Sequence, residues 1–179
     1  MIVLPYDEKS SPLSAEEKAR LAELKMTLDA CGAAYQILVH ESNLASAEDG
    51  ASSGLGLLEE MAPTFILRSK IGYFAAVVRG DTRLSYKKIK HEFGLKDISL
   101  TSPAEVEQFT GARVGYVSMV NPGIKTLVDG LLLEKNIIYG GTGVANHTLA
   151  IDPRALVDCT RAQVFDFSEP KQPSLRDLA

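Results

Sequence analysis

The stretch Thr110–Asp152, TGARVGYVSMVNPGIKTLVDGLLLEKNIIYGGTGVANHTLAID, decides the fold because it holds the glycine clusters, the Asn146-His147 pair and the strongest strand signals of the chain. Glycines separate its short apolar runs, and glycine is frequent where the backbone turns tightly or approaches a ligand. Taken singly, most of these glycines are typical of ordinary turns in a sheet. As a cluster, they predict a pocket that is walled by backbone amide groups.

Outward from this stretch, helix and strand signals alternate irregularly. Ser14 begins a capping box, and apolar spacing predicts a helix from Ala15 to Ala30. Strands outnumber helices and no βαβ alternation is sustained, which predicts an α+β fold: one domain with a mixed, mostly antiparallel, barrel-like sheet flanked by helices. The predicted strands are Ala34–Glu41, Thr64–Leu67, Tyr73–Val78, Arg113–Met119, Thr126–Val128, Asn136–Tyr139, Thr148–Ile151 and an edge strand Val164–Phe167.

The predicted domain occupies residues 14–167. Residues 1–13 form an N-terminal arm that contains proline and serine. Residues 168–179 are polar and include two prolines, so we expect a mobile tail.

Composition and charge exclude several classes of protein. The 179 residues suffice for one buried core but not for two ordinary domains. The net charge of -4 argues against broad wrapping of nucleic acid, although a local basic patch can still contact one phosphate backbone. No basic leader is present and no apolar run approaches the ~20 residues that span a bilayer, so we expect a cytoplasmic protein without membrane contact.

The two cysteines, Cys31 and Cys159, are far apart in the chain. They have neither the spacing of metal ligands nor the context of a disulfide-rich protein. Both are therefore expected to be reduced and partly buried.

A local basic face is predicted on the helix Tyr86–Phe93. It carries Lys87, Lys88, Lys90 and His91. Most faces of this kind are merely solvated, but on an acidic protein this one is the best candidate for contact with a polyanion.

Motifs for nucleotide binding, zinc binding and serine hydrolases are absent from the sequence. His40, His91 and His147 are too scattered to indicate a metal site, and His40 alone is more typical of a surface or edge histidine than of a functional one. No metal or cofactor is expected. The glycine-lined pocket remains, and its backbone amides suit the oxyanion of an ester that is hydrolysed without a side-chain nucleophile.

The order of these features resembles the YbaK/ProX type of aminoacyl-tRNA editing domain, which is also similar to the editing module inserted in bacterial prolyl-tRNA synthetases. The resemblance runs from the helix at Ser14 to about Asp166 and includes Ser46-Ala47-Glu48-Asp49, Arg79-Gly80-Asp81-Thr82-Arg83-Leu84, Ser102-Pro103-Ala104-Glu105-Val106, Val128-Asp129 and Gly140-Gly141. It implies a trans-editing hydrolase that deacylates mischarged tRNA carrying a small amino acid. The implied partners are aminoacyl-tRNA and, as a candidate, an aminoacyl-tRNA synthetase, with the protein a monomer or weak homodimer.

The resemblance also implies roles for particular residues. The expected catalytic residues are Gly115, Ser118, Asn146 and His147. The expected substrate-binding residues are His40, Pro63, Thr64, Asp129 and Gly141. The expected tRNA contacts are Lys70, Lys87, Lys88 and Lys90.

Two departures from the family pattern leave a second hypothesis open. The family usually has a lysine where this chain has Pro63, so a cation is missing unless Lys70 or Arg68 reaches the pocket. The family's GxxxP loop begins here at Gly115 and has Met119 in place of proline. The alternative is therefore a divergent, non-catalytic member that binds tRNA or an aminoacyl-like ligand. Regulation of another protein through the sheet edge has no support in the sequence.

Overall fold

The computed structural model describes residues 3–7 and 12–171. Within these ranges the chain forms five α-helices: α1 (Ala15–Ala30), α2 (Ala47–Ser52), α3 (Tyr86–Phe93), α4 (Pro103–Thr110) and α5 (Pro153–Thr160). The strands are β1 (Val3–Pro5), β2 (Tyr35–His40), β3 (Thr64–Ser69), β4 (Gly72–Val77), β5 (Thr82–Leu84), β6 (Ile98–Leu100), β7 (Lys125–Asp129), β8 (Ile138–Gly141), β9 (His147–Ile151), β10 (Gln163–Phe165) and β11 (Ser168–Pro170). Leu58–Glu60 and Gly130–Glu134 form 3-10 turns.

Local signals account for the helix bounds. At the start of α1, the Ser14 Oγ accepts a hydrogen bond from the Glu17 amide at 3.3 Å. The Glu17 carboxylate accepts one from the Ser14 amide at 2.9 Å, which completes the predicted capping box. One face of the helix packs into the core through the buried side chains of Leu21, Leu24 and Leu28. The predicted bounds of α1 are confirmed.

The described strands form three sheets. β1-β2-β9-β8 is antiparallel throughout, β10-β7-β4-β3-β6 is mixed, and β11 pairs with β5. Only the β4-β7 and β7-β10 pairings are parallel among these strands. Isolated bridges from Met61 to Tyr139 and from Ser118 to Gly141 connect the sheets. The arrangement confirms the predicted α+β class. Where one mixed sheet was predicted, the described strands form three separate sheets.

The predicted strand Arg113–Met119 is wrong. The structure has a loop there, in which Ser118 makes an isolated bridge. Gly115 has a φ of +96°, which an extended strand of L-residues does not contain. The Tyr116 carbonyl accepts instead from the Gly143 amide at 2.8 Å, so this loop packs against the turn before β9.

Both predicted terminal segments contribute strands. Val3–Pro5 pairs with β2, and Ser168–Pro170, at the start of the predicted tail, pairs with β5. The tail is therefore ordered at its beginning, because its backbone satisfies the open edge of β5. The remaining residues of the predicted arm and tail, 1–2, 8–11 and 172–179, lie outside the described residues. No helix in the described ranges is long and apolar enough to cross a membrane.

The expectation of two reduced cysteines is also wrong. Cys31 and Cys159 form a disulfide, with their Cα atoms 5.5 Å apart. Cys31 caps the end of α1 and Cys159 lies in α5. Leu28 and Leu156 of these two helices pack into the same core cluster, which brings together cysteines that are 128 residues apart in sequence.

Candidate functional site

A cleft of about 800 Å³ lies where the two larger sheets meet α2, α3 and the loop after α4. This volume falls within the range of small-molecule sites. Eight of the predicted site residues border the cleft: His40, Pro63, Thr64, Lys87, Gly115, Gly141, Asn146 and His147.

Gly115 and Gly141 form walls of the cleft that have no room for a side chain. A Cβ on Gly115 would lie 2.9 Å from the Ala45 carbonyl oxygen, and the positive φ already disfavours other residues. A Cβ on Gly141 would collide with the Val117 carbonyl oxygen. The backbone is therefore the surface that a ligand meets here.

Two amide groups in this wall are unused. Among the described residues, the N–H groups of Gly115 and Val117 have no hydrogen-bond acceptor, although both residues border the cleft. The amide between them is occupied, because the Tyr116 N–H donates to the Arg113 carbonyl at 3.0 Å. Backbone donors that are already oriented suit an oxyanion because they need no reorganisation.

Met119 compensates for the proline that the family loop usually has. Its amide donates to the Gly141 carbonyl at 3.0 Å, a bond that proline lacks the N–H to make. Its side chain is fully buried against Gly140. The loop is therefore held to β8 by hydrogen bonding and packing.

His40 and Thr148 form a hydrogen-bonded pair that borders the cleft. The His40 Nδ1 lies 2.7 Å from the Ser42 carbonyl oxygen, and its Nε2 lies 3.0 Å from the Thr148 Oγ1. A carbonyl oxygen only accepts, so the neutral ring carries its proton on Nδ1 and Nε2 accepts from the Thr148 hydroxyl. Burial lowers the pKa of His40, with the charge of His147 acting in the same direction.

We expect this depressed pKa to make stability depend on pH. The unfolded histidine has a pKa of about 6.5 and binds a proton that buried His40 resists. The free energy of unfolding is therefore highest above pH 6.5 and falls as the pH drops from 6.5 towards the folded pKa. Urea denaturation at several pH values between 5 and 7.5 measures this change. For His40→Gln, the free energy of unfolding should fall less steeply as the pH decreases. His91→Gln, on the exposed face of α3, should keep the pH dependence of the native protein. The same pH dependence for His40→Gln and the native protein would contradict the expectation.

The neighbouring Asn146 and His147 also lie at the cleft. Asn146 has a φ of +60°, a left-handed conformation that asparagine tolerates, and its carbonyl accepts from the His40 amide at 3.0 Å. The His147 Nδ1 is 2.8 Å from the Ala145 carbonyl oxygen, and Tyr6 packs edge-on against the ring at 5.5 Å. The buried Nε2 has no partner among the described residues. The geometry gives Asn146 a part in positioning His40.

Ser118 and Asp129 do not border the cleft. The Ser118 Oγ accepts from the Val120 amide at 3.0 Å, and the residue lines a separate cavity of about 150 Å³. Asp129 is fully buried and accepts from the Leu131 amide at 3.3 Å, which caps the second 3-10 turn. Burial raises the pKa of its carboxyl group.

The predicted tRNA-contacting lysines divide in the same way. Only Lys87 borders the cleft, and its ammonium group has no partner among the described residues. Lys88 pairs with Asp166 at 2.9 Å, and Lys70 and Lys90 lie away from the cleft. Arg68 pairs with Glu105, so neither Lys70 nor Arg68 supplies the cation missing at Pro63.

Several polar residues of the cleft were missed in the sequence, among them Arg83, Lys171 and Thr148. Arg83 pairs with Glu169 at 3.1 Å, and Lys171 donates to Glu48 and to the Gly80 carbonyl. Thr148 is 108 residues from His40. Only the alternation within His147–Ile151, which puts Thr148 on the face away from Leu149, was available to indicate it. No cluster of three or more histidines, cysteines and acidic residues suited to a metal ion occurs in residues 3–7 and 12–171.

Comparison with known proteins points to one family. Residues 41–159 match the family model described as an aminoacyl-tRNA editing domain. The crystal structure of a hypothetical protein superposes with a TM-score of 0.76 at 31% identity, covering 84% of this chain and 99% of that one. A structure described as a candidate trans-editing enzyme for prolyl tRNA synthetase has the same TM-score at 21% identity, covering 88% and 99%, and shows a shared fold.

Curated relatives include proline–tRNA ligases. The enzyme of Fervidobacterium nodosum is 30% identical over 106 residues, which cover 58% of this chain and 18% of the ligase. The enzyme of Geobacter metallireducens is 41% identical over 69 residues, covering 37% and 12%. The matches therefore span less than a fifth of the length of these two ligases.

Proposed function

Because the chain belongs to the family of aminoacyl-tRNA editing domains, we propose that it is a trans-editing hydrolase, which cleaves the ester bond of mischarged tRNA carrying a small amino acid. The observation that carries the proposal is the pair of unused amide groups, at Gly115 and Val117, in the glycine wall of the cleft. The ester carbonyl oxygen would accept from these amides. Their hydrogen bonds would strengthen as negative charge develops on that oxygen during attack by water.

The dimensions of the cleft support a substrate larger than a free amino acid. Four neighbouring segments each contribute residues to the lining of the cleft: β2, β9, β8 and residues 61–63. Neighbouring strands are about 4.8 Å apart, so these four segments extend over roughly 14 Å. One extended residue covers only about 3.5 Å. Space therefore remains beside the ester for the terminal nucleoside of the tRNA.

The charged side chains at the rim of the cleft indicate which part of it would receive the tRNA. Arg83 and Lys171 are each held by a glutamate, whereas Lys87 is unpaired within the described residues. An unpaired lysine is available to a phosphate group, and its contribution would weaken with added salt. We assign the tRNA end to the part of the cleft beside Lys87.

A divergent binding protein is the second candidate function. Pro63 favours it, because it borders the cleft where the family usually has a lysine, and neither Lys70 nor Arg68 replaces that charge. Met119 supports it less, since the bond from its amide to Gly141 holds the loop in place. The two functions differ in turnover and not in binding.

We expect purified protein at micromolar concentration to release the amino acid from at least one of Ala-, Ser-, Cys- and Pro-charged tRNA. A Pro63→Lys variant tested beside it should be faster by up to about 100-fold, since a cation at this wall would stabilise the developing charge. The assay measures radiolabelled amino acid that remains on each tRNA with time.

The pattern of activities separates the two functions. An inactive native protein beside an active Pro63→Lys variant would show that catalysis was lost and would favour the binding function. If both proteins leave every tRNA of the panel charged, the deacylase proposal is rejected.

A further inference from the structure

Deacylation requires a group that takes a proton from the attacking water, and the backbone amides of the cleft wall only donate. Building on the proposed function, we propose that the Thr148 hydroxyl and the His40 imidazole act together as the general base that activates the attacking water. Thr148 would contact the water, and His40 would receive the proton through Thr148.

The hydrogen-bond directions within the pair set its chemistry. The bond to the Ser42 carbonyl holds the proton of His40 on Nδ1, so Nε2 presents its lone pair to Thr148 at 3.0 Å. The Thr148 hydroxyl donates its proton in that hydrogen bond. Its oxygen then has lone pairs left to accept from a water molecule in the cleft.

The strand register places the pair at the cleft. β2 and β9 are antiparallel neighbours, with Leu38 opposite Thr148 and Val39 opposite His147. Leu149 and Ile151 of β9 point into the core, so Thr148 lies on the other face. Both members of the pair border the cleft.

The surroundings keep the pair in the state that a base requires. His40 is 4% exposed and Thr148 is 8% exposed, so few water molecules compete for their bond. The lowered pKa of His40 keeps the ring neutral at pH 7. An acceptor held by a third group, here the Ser42 carbonyl, matches the general arrangement of a hydroxyl, a base and an orienting group.

The proposed step balances without any added reactant. The water oxygen bonds to the ester carbonyl carbon as one water proton moves to the Thr148 Oγ1 and the original Thr148 proton moves to the His40 Nε2. The resulting oxyanion is held by the backbone amides. When the bond from the carbonyl carbon to the ribose oxygen breaks, His40 returns its proton through Thr148 to that oxygen, which releases free amino acid and tRNA.

Replacing Thr148 with valine removes the hydroxyl but keeps the shape of the side chain. We expect kcat for the best mischarged tRNA to fall about 100-fold with little change in KM, as is typical for loss of general base catalysis. Thr148→Ser should retain most of the activity. Thr126→Val is the matched control, because Thr126 is a buried strand threonine outside the cleft, and it should leave kcat near the native value.

A second measurement uses only the native protein. Its kcat/KM should fall with decreasing pH through a single ionisation below about 6.5, as His40 becomes protonated. A folded Thr148→Val variant with native kcat would overturn the role of the pair while leaving the deacylase function intact. Absence of turnover by the native protein would instead reject the deacylase function and this role with it.

Discussion

Gly115→Ala is expected to lower kcat/KM for deacylation by about 10²- to 10³-fold, the range observed when an oxyanion donor is lost. The added Cβ would lie 2.9 Å from the Ala45 carbonyl oxygen and 3.2 Å from the Ala45 Cβ. Neither atom belongs to a flexible side chain, so the loop itself must move. The Gly115 and Val117 amides would then lose their positions in the cleft wall.

Gly123→Ala provides the matched control for this variant. Gly123 also has a positive φ, +80°, but a Cβ there meets nothing within 4 Å. Both variants bear the cost of a left-handed alanine, about 1–2 kcal/mol, whereas only Gly115→Ala displaces the wall. Deacylation and thermal unfolding should be measured for both. Equal activity of the two variants, with Gly115→Ala folded, would contradict the oxyanion role.

Removing the disulfide should cause the largest loss of stability. We expect the double variant Cys31→Ser, Cys159→Ser to unfold with a free energy about 2–4 kcal/mol lower than that of the oxidised protein. The bond joins residues separated by 128 positions, and in the chain-entropy view a long closed loop restricts the unfolded chain strongly. Urea denaturation without reductant measures the difference.

Reductant provides the control for this prediction. The native protein in reductant should approach the stability of the double variant, and the variant itself should not respond to reductant. Titration of thiols in unfolded, unreduced native protein should find none from Cys31 and Cys159. Two free thiols, or equal stability of the oxidised protein and the double variant, would be contrary to the expectation.

The sequence indicated part of the wall of the cleft but not what its side chains do. Gly115 and Gly141 stand out in the sequence, and both border the cleft. Ser118 directly follows the cleft-lining Val117 in the chain, yet its hydroxyl bonds to the Val120 amide and the residue lines another cavity. A loop with glycines at positive φ has no fixed alternation, so the side on which Ser118 lies could not be predicted.

The histidines show the same limit. The sequence presents His147 beside Asn146, which suggested a catalytic pair, but the ring packs against Tyr6. His40 has no such neighbour in sequence, and its partner Thr148 is supplied by β9. The roles of these residues in substrate binding and catalysis stay predictions.

The features that the sequence determined by itself depend on contacts between residues close together in the chain. The bounds of α1 and α3 follow from caps, glycines and apolar spacing within a few residues, so both helices were predicted as they stand. The tertiary structure alone decided the Cys31–Cys159 disulfide, the Lys171–Glu48 pair and the His40–Thr148 bond, whose partners are 128, 123 and 108 residues apart. Such contacts form only when the core brings distant strands and helices together, and no short stretch of sequence encodes them.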